Sequence, residues 1–136
     1  MNRADLAVLA LRLSRRLLAI EEPILTRHDM PMWSYAVLTA LREGPTRTQA
    51  ALAAAIGADK TRLIPNLDDL QKRGLIDREP DPADRRVRLL ALTPAGRQTQ
   101  QAIQSEIHAG EEELLSALPP DDREAFVRAL MALSQR

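Results

Sequence analysis

Leu6, Leu9, Leu13, Leu17 and Ile20 recur at three- and four-residue steps, the spacing that lines side chains along one stripe of a helix. Pro23 removes a backbone donor and crowds the preceding turn, so a kink or break is expected near Glu22, with Ile24 and Leu25 carrying the helix on after a bend. Pro31 suits the first turn of a second helix, in which Trp33, Val37, Leu38 and Leu41 face inward until Gly44-Pro45 stops the run. Thr48 can cap a short, alanine-rich third helix from Gln49 to Ile56 that ends at Gly57. Asp59 can cap a fourth, which buries Leu63, Leu67 and Leu70 before Gly74 ends it.

Residues 48–73 therefore read as two helices joined by a tight turn at Gly57-Ala58, the layout of a helix-turn-helix. The periodicity then changes. Leu75 to Glu79 and Val87 to Leu92 bracket a polar, proline-punctuated loop, as a two-stranded hairpin would. Thr93-Pro94 offers a cap and a proline at the first helical position for a long helix of about six turns, reaching toward Pro119-Pro120. From Asp121 to Leu133 an acidic first turn and buried Phe126, Leu130 and Leu133 predict a last short helix. The predicted fold is mainly α with a small two-stranded β-wing.

Composition narrows the possibilities. With one Trp, one Tyr and one Phe, alanine and aliphatic residues supply the apolar content, which favours helix over strand. The absence of cysteine removes disulfides, thiolate zinc sites and thiol-based sensing. Arg12, Arg15 and Arg16 interrupt the apolar start, which therefore reads as neither a signal peptide nor a membrane span; the expected location is cytoplasmic. Net charge is zero, so charge alone does not point to DNA. Its distribution is more informative: basic residues exceed acidic ones 7 to 5 over residues 1–57 and 9 to 7 over 58–97, but acidic residues lead 7 to 3 over 98–136.

The most specific string is Asp81-Pro82-Ala83-Asp84-Arg85-Arg86 followed by Leu92-Thr93-Pro94-Ala95-Gly96. Together with the preceding helix-turn-helix, it resembles the wing and following helix start of the multiple-antibiotic-resistance repressor (MarR) family, and the helix order is similar along nearly the whole chain. The resemblance implies a single MarR-type domain over residues 1–136, with the winged helix-turn-helix at about 30–95 and dimerisation helices at about 1–28 and 94–136. It also implies a homodimer gripping the two halves of a palindromic operator in double-stranded DNA. The residues can support that: the leucine stripe of the first helix, Ile103, Ile107, Leu114 and Leu118, and Phe126 with Leu130 make more apolar surface than a compact winged domain covers.

On the fourth helix the inward leucines leave Lys60, Thr61, Arg62, Pro65, Asn66 and Asp69 on the outer side. Arg62 and Asn66, one turn apart, have the bidentate chemistry for guanine and adenine, whereas Lys60 and Thr61 suit phosphate. Family members often carry an arginine where this chain has Pro65, which supplies no charged contact. The resemblance further implies that Arg86, beside Arg85 at the wing tip, enters the minor groove, that Asp84 shapes the loop, and that Asp68 pairs with Arg86. Arg47, Thr48 and Arg78 are further phosphate candidates, with a structural or solvated role as the alternative for each. Many relatives bind a small aromatic or anionic effector beside the dimer helices, where Arg16, His28, Trp33 and Tyr35 would fall.

Two other classes compete. A winged helix can serve as a protein-interaction module that reads no DNA. An enzyme would need more than His28 and His108, which are far apart and accompanied by no nucleophile motif, metal-ligand spacing or phosphate loop; no cofactor is expected. A membrane-surface role for the first helix competes with the better use of its leucines in a dimer.

Overall fold

A computed structural model describes residues 2–44 and 47–135, the side chain of residue 47 excepted. The elements run α1 (Leu6–Arg27), α2 (Met32–Glu43), β1 (Arg47–Thr48), α3 (Gln49–Ile56), α4 (Lys60–Lys72), β2 (Ile76–Asp81), β3 (Asp84–Leu92), α5 (Pro94–Leu115) and α6 (Pro120–Ser134). The fold is mostly helical, and the antiparallel β2–β3 ribbon is the expected wing. Short β1 pairs with the other side of β3, giving the sheet order β1-β3-β2. Both wing strands run further than the sequence pattern suggests, so that only Pro82 and Ala83 separate them. Pro80 is compatible with this because β2 is an edge strand, where a missing N–H costs no ladder bond.

The chain forms two compact units: residues 22–104, and residues 1–21 with 105–136. The core of the first unit draws Ile24 and Leu25 from α1, Val37, Leu38 and Leu41 from α2, Leu52 from α3, Leu63, Leu67 and Leu70 from α4, Ile76 and Leu90 from the strands, and Ile103 from α5. Its helix ends follow local chemistry. The Thr48 hydroxyl accepts from the Ala51 amide at 3.0 Å and the Asp59 carboxylate from the Thr61 amide at 2.9 Å, each satisfying a first-turn donor. At the end of α4, Gly74 takes φ +75° while the Leu75 amide bonds back to the Leu70 carbonyl at 2.9 Å, closing a left-handed cap.

Thr93 rivets the start of α5 to that same turn. Its amide donates to the Leu75 carbonyl at 3.2 Å and its hydroxyl to the Gly74 carbonyl at 2.7 Å, while the hydroxyl also accepts from the Gly96 amide at 3.0 Å. Gly96 is required by this closeness, since a Cβ there would lie 1.9 Å from the Leu75 oxygen. Further along, the Arg42 guanidinium donates to the Gln100 and Gln104 side-chain oxygens at 2.5 and 3.0 Å, tying α2 to α5 and satisfying the fully buried Gln100.

Several expectations need correction. No break falls near Glu22: α1 runs on through Pro23 with Ile24 and Leu25 carrying it, and Ala19, whose carbonyl the proline leaves unpaired, is exposed and can be solvated. Trp33 does not face inward: it is 47% exposed, and Ser34, Val37, Leu38 and Leu41 form the buried stripe of α2. Ile103 and Ile107 are buried within the chain rather than left for a partner. α6 buries nothing, so Phe126, Leu130 and Leu133 are not core: Phe126 is half-buried, and Leu130 and Leu133 are exposed along with Val127 and Met131.

In the second unit, Leu6, Val8, Leu9, Leu11 and Leu18 of α1 are also exposed. Helix packing there is tight at one point, where a Cβ on Gly110 of α5 would lie 2.4 Å from Cγ2 of Ile20. Burial raises the Glu21 carboxyl above the usual glutamate range, and the nearby Glu111 charge adds to the effect.

Candidate nucleic-acid interface

The buried leucines of α4 fix which side of the helix faces out. Lys60, Thr61 and Arg62 are exposed on its first turn, and Asn66, one turn beyond Arg62, is half-buried. Helix α4 runs on through Pro65, and the Thr61 carbonyl that the proline leaves unpaired lies at an exposed residue where water can reach it. A proline in mid-helix still costs about 3 kcal/mol where nothing compensates. The far end of α4 is held by Arg73, which pairs with Asp69 at 3.5 Å and donates to the carbonyls of Asp29 and His28 at 2.8 and 3.3 Å. The placement of α4 is thus fixed at its base while its amino-terminal side chains stay uncommitted: Lys60 and Arg62 have no side-chain partner among the described residues.

Two aspartates fold the wing tip. Asp81 accepts the Ala83 amide at 2.9 Å, and Asp84 accepts both the Arg86 amide and its Nε at 3.1 Å, with Nη2 at 3.2 Å from the other oxygen. The Arg86 side-chain hydrogen bonds, then its backbone one, hold the Asp84 carboxyl below the usual aspartate range. Arg86 nonetheless remains 91% exposed, so the pair orients the guanidinium without hiding it. Arg85, beside it, is exposed and has no side-chain partner among the described residues.

A cleft of about 280 Å³ collects Thr48, Gln49 and Ala50 of the α3 start, Lys60 of α4, and Arg86, Val87 and Arg88 of β3. Lys60, Thr48 and Arg86, far apart in sequence, therefore meet around one opening. Arg88 belongs to this group and was missed by the sequence reading. Period-two alternation puts residues 84, 86 and 88 on one face of β3, so Arg86 itself pointed to it. It is exposed and has no side-chain partner among the described residues.

Asp68 is placed differently from expectation. It pairs with Arg78 of β2, not with Arg86, because Arg86 is already engaged by Asp84 two residues away. Arg78 also donates to the side-chain oxygens of Gln71 at 2.7 Å and Gln49 at 3.5 Å. The Arg47 side chain lies outside the described residues, as does Pro45.

Of the effector candidates, Trp33 and Arg16 each line an opening within their own unit. Trp33 lines a cavity of about 160 Å³ with Gly57, Ala58, Asp59, Arg62 and Leu63, beside the start of α4. Arg16 lines a separate opening of about 540 Å³ in the other unit, with Ile20, Gly110, Glu113, Leu114, Ser116 and Ala117. His28 and Tyr35 are half-buried and line neither.

A short helix, a glycine turn, a second helix with uncommitted cationic and polar side chains at its start, and an arginine-tipped ribbon together define a winged helix-turn-helix of the DNA-binding type. Residues 28–87 match the family model described as MarR family. The transcriptional regulator HosA of Escherichia coli O111:H- is 33% identical over 105 residues, covering 75% of this chain and 78% of that protein. The chain belongs to the MarR family of transcriptional regulators. Among solved structures, it is similar to the transcriptional repressor CouR bound to a 23-mer DNA duplex, with a TM-score of 0.82 and 26% identity covering 96% of this chain and 93% of that one. It is also similar to BpsR of Bordetella bronchiseptica, whose DNA binding is regulated by 6-hydroxynicotinic acid, with a TM-score of 0.78 and 26% identity covering 97% and 94%.

Proposed function

We propose that this chain is a ligand-responsive repressor that binds a palindromic operator as a homodimer. The observation that carries the reading is the exposed cationic edge formed by Lys60 and Arg62 on α4 and by Arg85, Arg86 and Arg88 on the wing, of which only Arg86, held by Asp84, has a side-chain partner among the described residues. Arg62 and Asn66 read base edges in the major groove. Arg86, with Arg85 beside it, reads the shape of the adjacent minor groove, while Asp84 holds it extended. Thr48, Lys60 and Arg88 meet phosphate around the cleft, with Thr61 next to Lys60 on the first turn of α4.

The dimer is supported by the apolar side chains left exposed on α1 and α6, which water would otherwise have to cover. On this reading residues 1–28 and 94–136 supply the dimerisation helices of a single MarR-type domain. A small aromatic or anionic effector is supported by the relative regulated by 6-hydroxynicotinic acid, and the openings lined by Trp33 and by Arg16 are two separate candidates for its site. Among the described residues no helix is long and apolar enough to cross a membrane, and the regulator works in the cytoplasm, where its DNA is.

Replacing Arg86 with alanine tests the wing assignment. Operator affinity, followed by fluorescence anisotropy, is expected to fall by about 1–3 kcal/mol, and the salt slope to become shallower by about 0.9, with the unfolding midpoint unchanged. An unaltered isotherm refutes the assignment.

A further inference from the structure

We infer that Arg78 is a positioning residue, an internal strut that sets the angle between the wing and the recognition helix rather than a phosphate ligand; this rests on the DNA-binding reading above. Three of its nitrogens are already spent. Nε donates to Gln71 at 2.7 Å, Nη1 to Gln49 at 3.5 Å, and Nη2 to the Asp68 carboxylate. The acceptors come from two different helices. Gln49 opens α3, whereas Asp68 and Gln71 are three residues apart on one face of α4. One planar group on β2 therefore joins the wing, α3 and α4 at a single point. Its side chain is only 20% exposed, in contrast to the 91% of Arg86.

Geometry explains why such a joint matters. Arg78 stands two residues after Ile76, the buried root of β2, and opposite Leu90, the buried residue of β3. Beyond it the ribbon bears no fully buried side chain, so nothing further out fixes its direction. From Arg78 to the Pro82 turn the strand extends for about 13 Å at ~3.3 Å per residue, and a tilt of about 5° at the root displaces the tip by about 1 Å. Arg86 and Arg62 must reach one duplex together, so a loose root spoils the spacing of both. An exposed ion pair alone would do little. Guanidinium, however, presents several donors in a rigid fork, and a lysine ammonium cannot reproduce that fork.

That difference supplies the test. R78K, R78Q, D68N and the D68N/R78Q double variant of the whole chain are titrated with operator duplex by anisotropy across a salt series. Amide exchange over residues 76–92 is followed without DNA. R78K and R78Q are both expected to bind about tenfold more weakly than the parent at an unchanged salt slope, D68N to match them, and the double variant to be no worse than either single one. Exchange in the wing should quicken in all four. R78K binding like the parent, while R78Q shows a salt slope shallower by about 0.9, would make Arg78 a phosphate ligand and overturn the inference. Additive losses in the double variant would overturn it too. Should the parent bind no duplex, the operator reading fails on its own, and unaltered wing exchange in the variants would still refute the strut.

Discussion

Replacing Gly96 with alanine probes the junction that sets the wing and α5 on the recognition-helix turn. The added Cβ would lie 1.9 Å from the Leu75 oxygen, 2.9 Å from its carbonyl carbon and 3.0 Å from a methyl of Leu92. Carbon–oxygen contacts do not ordinarily close below about 3.3 Å, so the two atoms must separate by about 1.4 Å. Both Leu75 atoms belong to the backbone, so no side-chain rotation relieves that contact. The Leu75 carbonyl accepts the Thr93 amide, and the Leu75 amide completes the cap of α4, so displacing this peptide disturbs both. Overpacking costs about 1–3 kcal/mol and each disturbed hydrogen bond about 1 kcal/mol, against roughly 1 kcal/mol gained from alanine's higher helix propensity. A net loss of about 2–4 kcal/mol is expected in urea unfolding, as a lower midpoint at unchanged slope. Ala95→Gly, at an exposed neighbouring position, is the control and should cost no more than ~1 kcal/mol. A G96A midpoint equal to or above the parent's would show that the junction is not as tight as these distances require.

Three other outcomes follow from the same geometry. Arg88→Gln should weaken binding to every duplex alike and make the salt slope shallower by about 0.9, which a titration on specific and random DNA would read. On the proposed dimer, Leu130→Glu on the exposed face of α6 should give a mass of one chain in light scattering without lowering helicity, and a mass of two chains would refute the placement of the interface. Glu21→Gln bears on pH. Because folding raises the Glu21 pKa, the protonated form favours the fold; that stabilisation is complete below the ordinary glutamate range and is lost as pH rises through the folded-state value. The variant should therefore melt higher than the parent at neutral pH and equally at acid pH, and a lower neutral melting point would contradict the burial of Glu21 beside Glu111.

Local signals carried most of the fold. Leucines at 63, 67 and 70 with Asp59 before them and Gly74 after them define α4 from short-range spacing alone, and Thr48 and Thr93 cap the helices they precede. What stayed illegible depends on distant partners. Arg78 gains its acceptors from residues 7, 10 and 29 positions away, which no periodicity encodes, so the sequence left it a phosphate candidate with a structural or solvated role as the alternative. The expected Asp68–Arg86 pair failed for the converse reason, since Asp84 is a nearer partner for Arg86. Trp33 fits the spacing of an inward residue four before Val37, yet Ser34 occupies the inward position and Trp33 turns out beside the start of α4. Strand β1 is two residues long and leaves no pattern to detect. On α6 the apolar spacing revealed a stripe but not whether the chain itself covers it.

Footprinting of the DNA flanking the chain's own gene bears most directly on the reading of α4 and the wing as a paired grip on duplex DNA. The expected result is one protected, roughly palindromic segment with half-sites about one helical turn apart, lost when Arg62 and Arg86 are both replaced by alanine. Uniform cleavage at every protein concentration, or protection that survives the double replacement, would contradict it.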